Sequence, residues 1–220
     1  MIYYQKGSKD TVLSKDDMWK GLVAALDKLG VRKKVLVVPP DFTRFHSHAG
    51  ELTTLVYQYY KENLKDILPA LGTHSPMTGS QLSTMFPGVP AELFRVHDWR
   101  NDVVTVGRVP GEYVADITGN ALDYEWPAQL NKLVYAGGHD LILSIGQVVP
   151  HEVIGMANYN KNLFVGTGGA EGINKSHFVG AVYGMEKLMG KADNPVRRLL
   201  NYASEHFIKD HPVVYVHTVV

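Results

Sequence analysis

Two apolar runs constrain this chain more than any other feature: KKVLVVPP at 33–40 and DLILSIG at 140–146. The first is continuous, with basic residues before it and prolines after it, and reads as a strand buried on both faces. Helical patterns surround these runs. Ser14 and Asp17 form a capping-box signature ahead of Met18, Leu22, Ala25, Leu26 and Leu29, and Gly30 is placed to end that helix. Residues 49–65 put Leu52, Leu55, Val56, Tyr59 and Leu64 on one helical face, and DILPALG at 66–72 reads as a second buried strand, weakened by Pro69. A short helical piece near 81–86, extended stretches at 94–97 and 103–107, and DLILSIG continue the alternation. The expectation is one α/β domain over 1–220, a mainly parallel, Rossmann-like sheet with helices on both faces.

Ligands in such sheets bind beyond the carboxyl ends of the strands. The residues expected there are DFTR at 41–44, THS at 73–75 and QVVPH at 147–151. Asp41, Thr43 and Arg44 suit an anion or a ribose hydroxyl, or equally a helix cap. His74 has the near-neutral pKa of an acid or base, although a lone histidine after a strand is more often structural. His97 and His139, each followed by aspartate, read as oriented imidazoles or as surface turns, with the turn favoured for His139. The segment PHEVIGMANYNKNLFVGTGGAEGINKSH, 150–177, sets Lys161 between His151 and His177 among several glycines, a pattern of backbone passing close to a ligand.

Other chemistry is narrowed by composition. Lys plus Arg and Asp plus Glu are 22 each, so net charge makes no case for nucleic acid or an anionic membrane surface. There is no cysteine, which removes disulfides, thiolate metal sites and cysteine nucleophiles. No HExxH spacing occurs, and GTGGAEG lacks the Walker lysine and only imperfectly echoes a dinucleotide fingerprint. Without a secretory signal or an apolar span of membrane length, the expected location is cytoplasmic.

Taken together, the motifs resemble those of the nickel-dependent lactate racemase family. That pattern has D-x-T-R after the first sheet strand, matched by Asp41, Thr43 and Arg44, and G-x-H after the second, matched by Gly72 and His74. It continues with H-x3-G-x5-K-x4-G, matched by His151, Gly155, Lys161 and Gly166, and a histidine sixteen residues beyond the lysine, matched by His177. The resemblance implies a racemase or epimerase of 2-hydroxy acids using a nickel-pincer nucleotide, bound covalently through Lys161. His177 would complete the nickel ligands, and the cofactor would bring the sulfur that this chain lacks. His74 and His151 would alternate as acceptor and donor of the hydroxyl proton while hydride leaves C2 and returns to the other face. The 41–44 loop would hold the cofactor's phosphate or ribose, or the substrate carboxylate, and Gly166 would be a further cofactor-binding residue.

The family also has a second, C-terminal domain closing over the cofactor. This chain, ending in HPVVYVHTVV, reads as the N-terminal domain of a longer enzyme, a fragment expected to turn over poorly alone. Three departures stand out. The family's Ser-Gly-Gly-Arg before the lysine is Ala157, Asn158, Tyr159 and Asn160 here, Val165 replaces a proline, and Ser75 replaces an arginine. Tyr159 suggests a reshaped pocket, and Asn158 and Asn160 suggest hydrogen bonds to a polyhydroxy acid such as a sugar acid. The rival readings are a ligand-binding domain without catalysis and, more weakly, a histidine-liganded metallohydrolase.

Overall fold

The computed structural model describes residues 1–220. Ser14 and Asp17 cap each other's backbone N–H groups to start α1 (Lys15–Leu29), and Gly30, at φ 73°, ends it. The apolar run becomes β1 (Val35–Val38), with all four residues buried. A 3-10 turn (Phe42–Ser47) leads to α2 (Ala49–Tyr60) and β2 (Leu64–Ile67). The helix thus stops well short of 65, because a 3-10 turn at Lys61–Asn63 intervenes. β2 consequently starts earlier than DILPALG, and the residues around Pro69 leave the ladder apart from a single Pro40–Ala70 bridge.

After α3 (Gly79–Met85), residues 94–97 touch β2 through one bridge, Ile67 to Phe94, and make no strand. β3 (Val103–Val109), α4 (Gly111–Thr118) and β4 (Trp126–Asn131) form a separate antiparallel pair with its connecting helix. The expectation that 103–107 joins the central alternation is therefore corrected. Its strand buries only Val109 fully, exposes Thr105 and Arg108, and pairs only with β4. α5 (Lys132–Ala136) leads to the second apolar run, β5 (Leu141–Gln147). Beyond it come the two-residue strands β6 (Pro150–His151) and β7 (Gly155–Met156), helices α6 (Asn160–Phe164), α7 (Ala170–Tyr183), α8 (Met185–Leu188) and α9 (Pro195–Phe207), and β8 (Val213–Thr218).

The central sheet has the order β2-β1-β5-β8, and every pairing is parallel. Alternation along β1 splits the core. Val35 and Val37 pack with α1 and α2 in a cluster of 14 buried residues, whereas Leu36 and Val38 join 23 that include Leu163, Phe164, Ile173 and Val196. The larger cluster seats α6, α7 and α9 under the carboxyl ends of the strands. These layers fix the site.

Two histidines lie elsewhere. His139 is not a surface turn: its side chain is 0% exposed and its Nε2 meets Asp66 Oδ2 at 2.9 Å, a carboxylate that also pairs with Arg95. His97 is buried too, held between the Gly168 carbonyl at 2.9 Å and the Asn131 side chain at 3.0 Å. Each satisfies a buried polar group in the scaffold. No helix is long and apolar enough to cross a membrane.

Candidate active site

The connections after β1, β2 and β5 converge with α6 and α7 on a cleft of about 270 Å³. Asp41, Thr43, Arg44, His74, His151, Lys161, Gly166 and His177 all line it. They come from segments up to 136 positions apart in sequence, brought together by the parallel order of the strands. A larger groove of about 740 Å³, lined by Tyr57, Lys61, Leu64 and Lys65, sits at the amino end of β2 and contains no histidine.

Asp41 does two things at once. Its Oδ1 accepts from the Thr43 backbone N at 3.1 Å and from the Thr43 hydroxyl, capping the 3-10 turn. Its Oδ2 accepts from His74 Nδ1 at 2.6 Å. A carboxylate only accepts, so the proton sits on Nδ1 and the Nε2 lone pair is free. The backbone of this second loop is tied down as well, with Gly72 N donating to Gly166 O at 2.8 Å and His74 N to Leu71 O at 2.9 Å.

His151 is set the other way round. The backbone N–H groups of Val153 and Ile154 donate to its Nδ1 at 3.2 and 3.3 Å. Nδ1 is then an acceptor, and the neutral ring carries its proton on Nε2. Burial, followed by the nearby Lys161 ammonium, lowers its pKa from 6.5 to about 4, which keeps it neutral around pH 7.

On α7, Ile173 and His177 face the cleft one turn apart. His177 Nδ1 donates to the Ile173 carbonyl at 2.8 Å, which leaves Nε2 with its lone pair. Burial lowers this histidine's pKa too, with a smaller push from Lys161. An imidazole oriented by a backbone carbonyl, neutral and with one free nitrogen, is the usual form of a metal ligand. No three His, Asp or Glu side chains come together to hold a metal ion. A metal at His177 would draw its other donors from a bound group.

Lys161 sits in the first turn of α6. Burial first, and then the Arg44 guanidinium, lower its pKa from 10.5 to about 8. About a tenth of the amine is then unprotonated at neutral pH, enough for it to act as a nucleophile. Its neighbour Asn162 fixes the helix by donating to Val38 O at 3.1 Å and to Ser144 Oγ at 3.2 Å, at the carboxyl ends of β1 and β5.

The four residues before Lys161 divide their tasks. Asn158 and Tyr159 both have positive φ, 61° and 57°, so the backbone keeps a conformation that glycine adopts freely although neither residue is glycine. Tyr159 turns away from the cleft and packs on Tyr215, with ring centroids 4.5 Å apart. It does not reshape the pocket, contrary to what its bulk two residues before the lysine suggests from sequence. Asn160 is also absent from the cleft: its Nδ2 donates to Asn201 at 2.7 Å, and the buried Arg197 of α9 donates to its Oδ1. Asn158 alone of the three lines the cleft.

Gly166 lines the cleft, but its missing Cβ faces the Asn162 carbonyl and Ala70, so close packing rather than ligand approach demands glycine there. Gln147, from the expected QVVPH loop, and Asn158 also line the cleft, together with Glu152 and Asn162, for which no sequence motif announces a role. Asn158 had the one usable signal, a non-glycine residue where the resembling family carries glycine.

No curated protein matches the chain. Several solved structures resemble it. A protein from Thermotoga maritima, known from its crystal structure, is 29% identical with a TM-score of 0.83, and the match covers 94% of this chain and 51% of that one. The lactate racemase apoprotein from Thermoanaerobacterium thermosaccharolyticum is 22% identical with a TM-score of 0.70, over 94% of this chain and 49% of that one, a likeness of fold. The chain thus spans about half the length of these structures. The family model described as lactate racemase N-terminal domain matches residues 23–189, and the chain belongs to that family.

Proposed function

We propose that the cleft is the cofactor-carrying half of a racemase or epimerase acting on a 2-hydroxy acid through a nickel-pincer nucleotide. The observation that carries this reading is the set of ring orientations. His177 offers a free Nε2 beside an amine of lowered pKa, and His74 and His151 flank the same space with their Nδ1 atoms committed in opposite senses. The donor set suits a group that brings most of its own metal ligands: one neutral imidazole, one reactive lysine, and no protein cluster able to chelate.

Lys161 would be the attachment residue and His177 Nε2 a ligand to the nickel. The bound nucleotide would supply a carbon that takes hydride from C2 of the substrate and gives it back. Arg44, which is planar and permanently charged, suits the phosphate or the substrate carboxylate, with Thr43 beside it. Both oxygens of Asp41 are already engaged, so it acts through His74 as a positioning residue.

His74 Nε2 takes the proton of the C2 hydroxyl, and the Asp41 carboxylate stabilises the imidazolium that forms. His151 is not an equivalent partner in this conformation. Accepting that proton at Nε2 would require its own proton on Nδ1, against two backbone N–H groups. Its neutral Nε2–H instead donates to the C2 oxygen as that oxygen becomes a carbonyl, the part a neutral imidazole can play as an electrophile. His74 would return the proton to the C2 oxygen as hydride came back to the other face of the planar 2-keto acid, which would invert the centre. The half-length coverage of the solved relatives supports a further domain closing over the cleft in the whole protein.

The test is isotopic. The protein, co-expressed with cofactor-assembling enzymes, is given a 2-hydroxy acid deuterated at C2 in ordinary water. Retention of deuterium in the inverted product is expected, because hydride is held and returned. Wash-out of the label would mean proton abstraction at carbon and would overturn the reading.

A further inference from the structure

Asn158 is 5% exposed, lines the cleft, and leaves both Oδ1 and Nδ2 without a hydrogen-bond partner. Both atoms are closed off in the ligand-free chain, so a ligand group meets them only after the carboxamide rotates off Gly146 toward the cleft. Most buried carboxamides are paired, and an unpaired one is costly enough to require a reason. The surroundings make room for it. Gly146, the sixth residue of β5, leaves the carboxamide its space, since a Cβ there would crowd the Asn158 Cγ and Oδ1 at 3.0 Å. The segment is also held in place on its other side, Tyr159 by Tyr215 and Asn160 by Arg197 and Asn201. A strained turn thus keeps one unsatisfied amide against the cleft wall.

The two orphaned atoms select the missing partner. Nδ2 needs an acceptor and Oδ1 needs a donor, both on one small group. A carboxylate or a phosphate only accepts and would leave Oδ1 unpaired. A hydroxyl accepts and donates, and so answers both. From this we infer that Asn158 binds a hydroxyl of the ligand, resting on the proposed function for which ligand that is: a second hydroxyl of a polyhydroxy acid, or a ribose hydroxyl of the nucleotide. Lactate has only the C2 hydroxyl, which His74 and His151 already take. Asn158 therefore sets specificity or seats the nucleotide, and Asn160, engaged with α9, does neither.

The test uses the full chain without cofactor and its Asn158→Gly variant, since glycine tolerates the positive φ. Dissociation constants are measured by calorimetry for D-gluconate, L-lactate and nicotinate mononucleotide. Loss of one good hydrogen-bonding group is worth roughly tenfold. A loss of about that size for gluconate alone identifies the substrate hydroxyl, and for the mononucleotide alone the ribose, with lactate binding unchanged in either case. Equal affinities in the two proteins for all three compounds, or an equal loss for all three, overturn the inference. Asn158→Gly should also raise the melting temperature of the ligand-free protein by about 2–4 °C, because strain and an unpaired amide both disappear. A fall in melting temperature would show the amide to be structural and would count against a ligand role. These readouts need neither nickel nor turnover, so a failure of the proposed racemase chemistry leaves them standing.

Discussion

Asp41→Asn separates the charge and tautomer at His74 from the shape of the loop. In the native protein Asp41 Oδ2 holds the His74 Nδ1 proton at 2.6 Å, and Oδ1 holds Thr43. Asparagine keeps one oxygen, and the Thr43 backbone N–H and hydroxyl claim it, so the amide NH2 turns toward His74. A donor facing Nδ1 pushes the imidazole proton to Nε2 and removes the lone pair that the proposed mechanism uses to take the hydroxyl proton. The structural cost is small. A charge-assisted hydrogen bond becomes a neutral one, a loss of about 1 kcal/mol, and the 59% exposure of the His74 side chain keeps it toward the low end. The corresponding fall in melting temperature is about 2–4 °C for a chain of this size. The catalytic cost is far larger, about 10²- to 10⁴-fold in kcat for loss of a correctly oriented base. Polarimetry on the cofactor-loaded enzyme measures the rate, and intact mass confirms equal loading. A variant that folds, loads normally and keeps its rate within threefold would refute the assigned role of Asp41.

Three further outcomes follow from other groups. Because burial lowers His151 to about 4 in the folded state against 6.5 unfolded, the unfolded chain binds more protons between those values. The cofactor-free protein should therefore hold this stability above pH 6.5 and lose it as pH falls toward 4, by at most about 3 kcal/mol. Urea denaturation should show the slope shrinking in His151→Asn, which keeps an acceptor for Val153 and Ile154; an unchanged slope would exclude His151 as its source. Lys161→Met removes an ammonium that the fold holds at about 8, so it should stabilise the cofactor-free protein at pH 7 by up to about 3 kcal/mol, the gain fading as pH rises from 8 to 10.5. A lower urea midpoint would contradict it. His139→Ala should cost about 2–3 kcal/mol by leaving the buried Asp66 with only the half-exposed Arg95 as partner, while leaving turnover of the loaded enzyme unchanged, and a selective loss of rate would show a link to the site.

Much of this could be read from sequence because it is local. The capping pair Ser14 and Asp17, and the runs 33–40 and 140–146, carry their own periodicity, and strand ends then locate the three loops of the cleft. What escaped was set by tertiary partners. His139 looks like a turn residue until Asp66 and Arg95, more than forty positions away, are placed beside it. The strand at 103–107 has a pattern that suits either sheet, and only its pairing with β4 decides. In ANYN, one line of sequence sends Asn158 to the cleft, Tyr159 to β8 and Asn160 to α9. Consecutive residues with positive φ reverse the usual order of side-chain directions, which no helical or strand period describes.

The most direct test of the account is intact mass spectrometry after co-expression with the enzymes that build the cofactor. An adduct of nucleotide mass, mapped by peptide digestion to Lys161 and absent from Lys161→Ala, is the predicted result. Full cofactor synthesis with no adduct on the chain, or an adduct at another lysine, would contradict it.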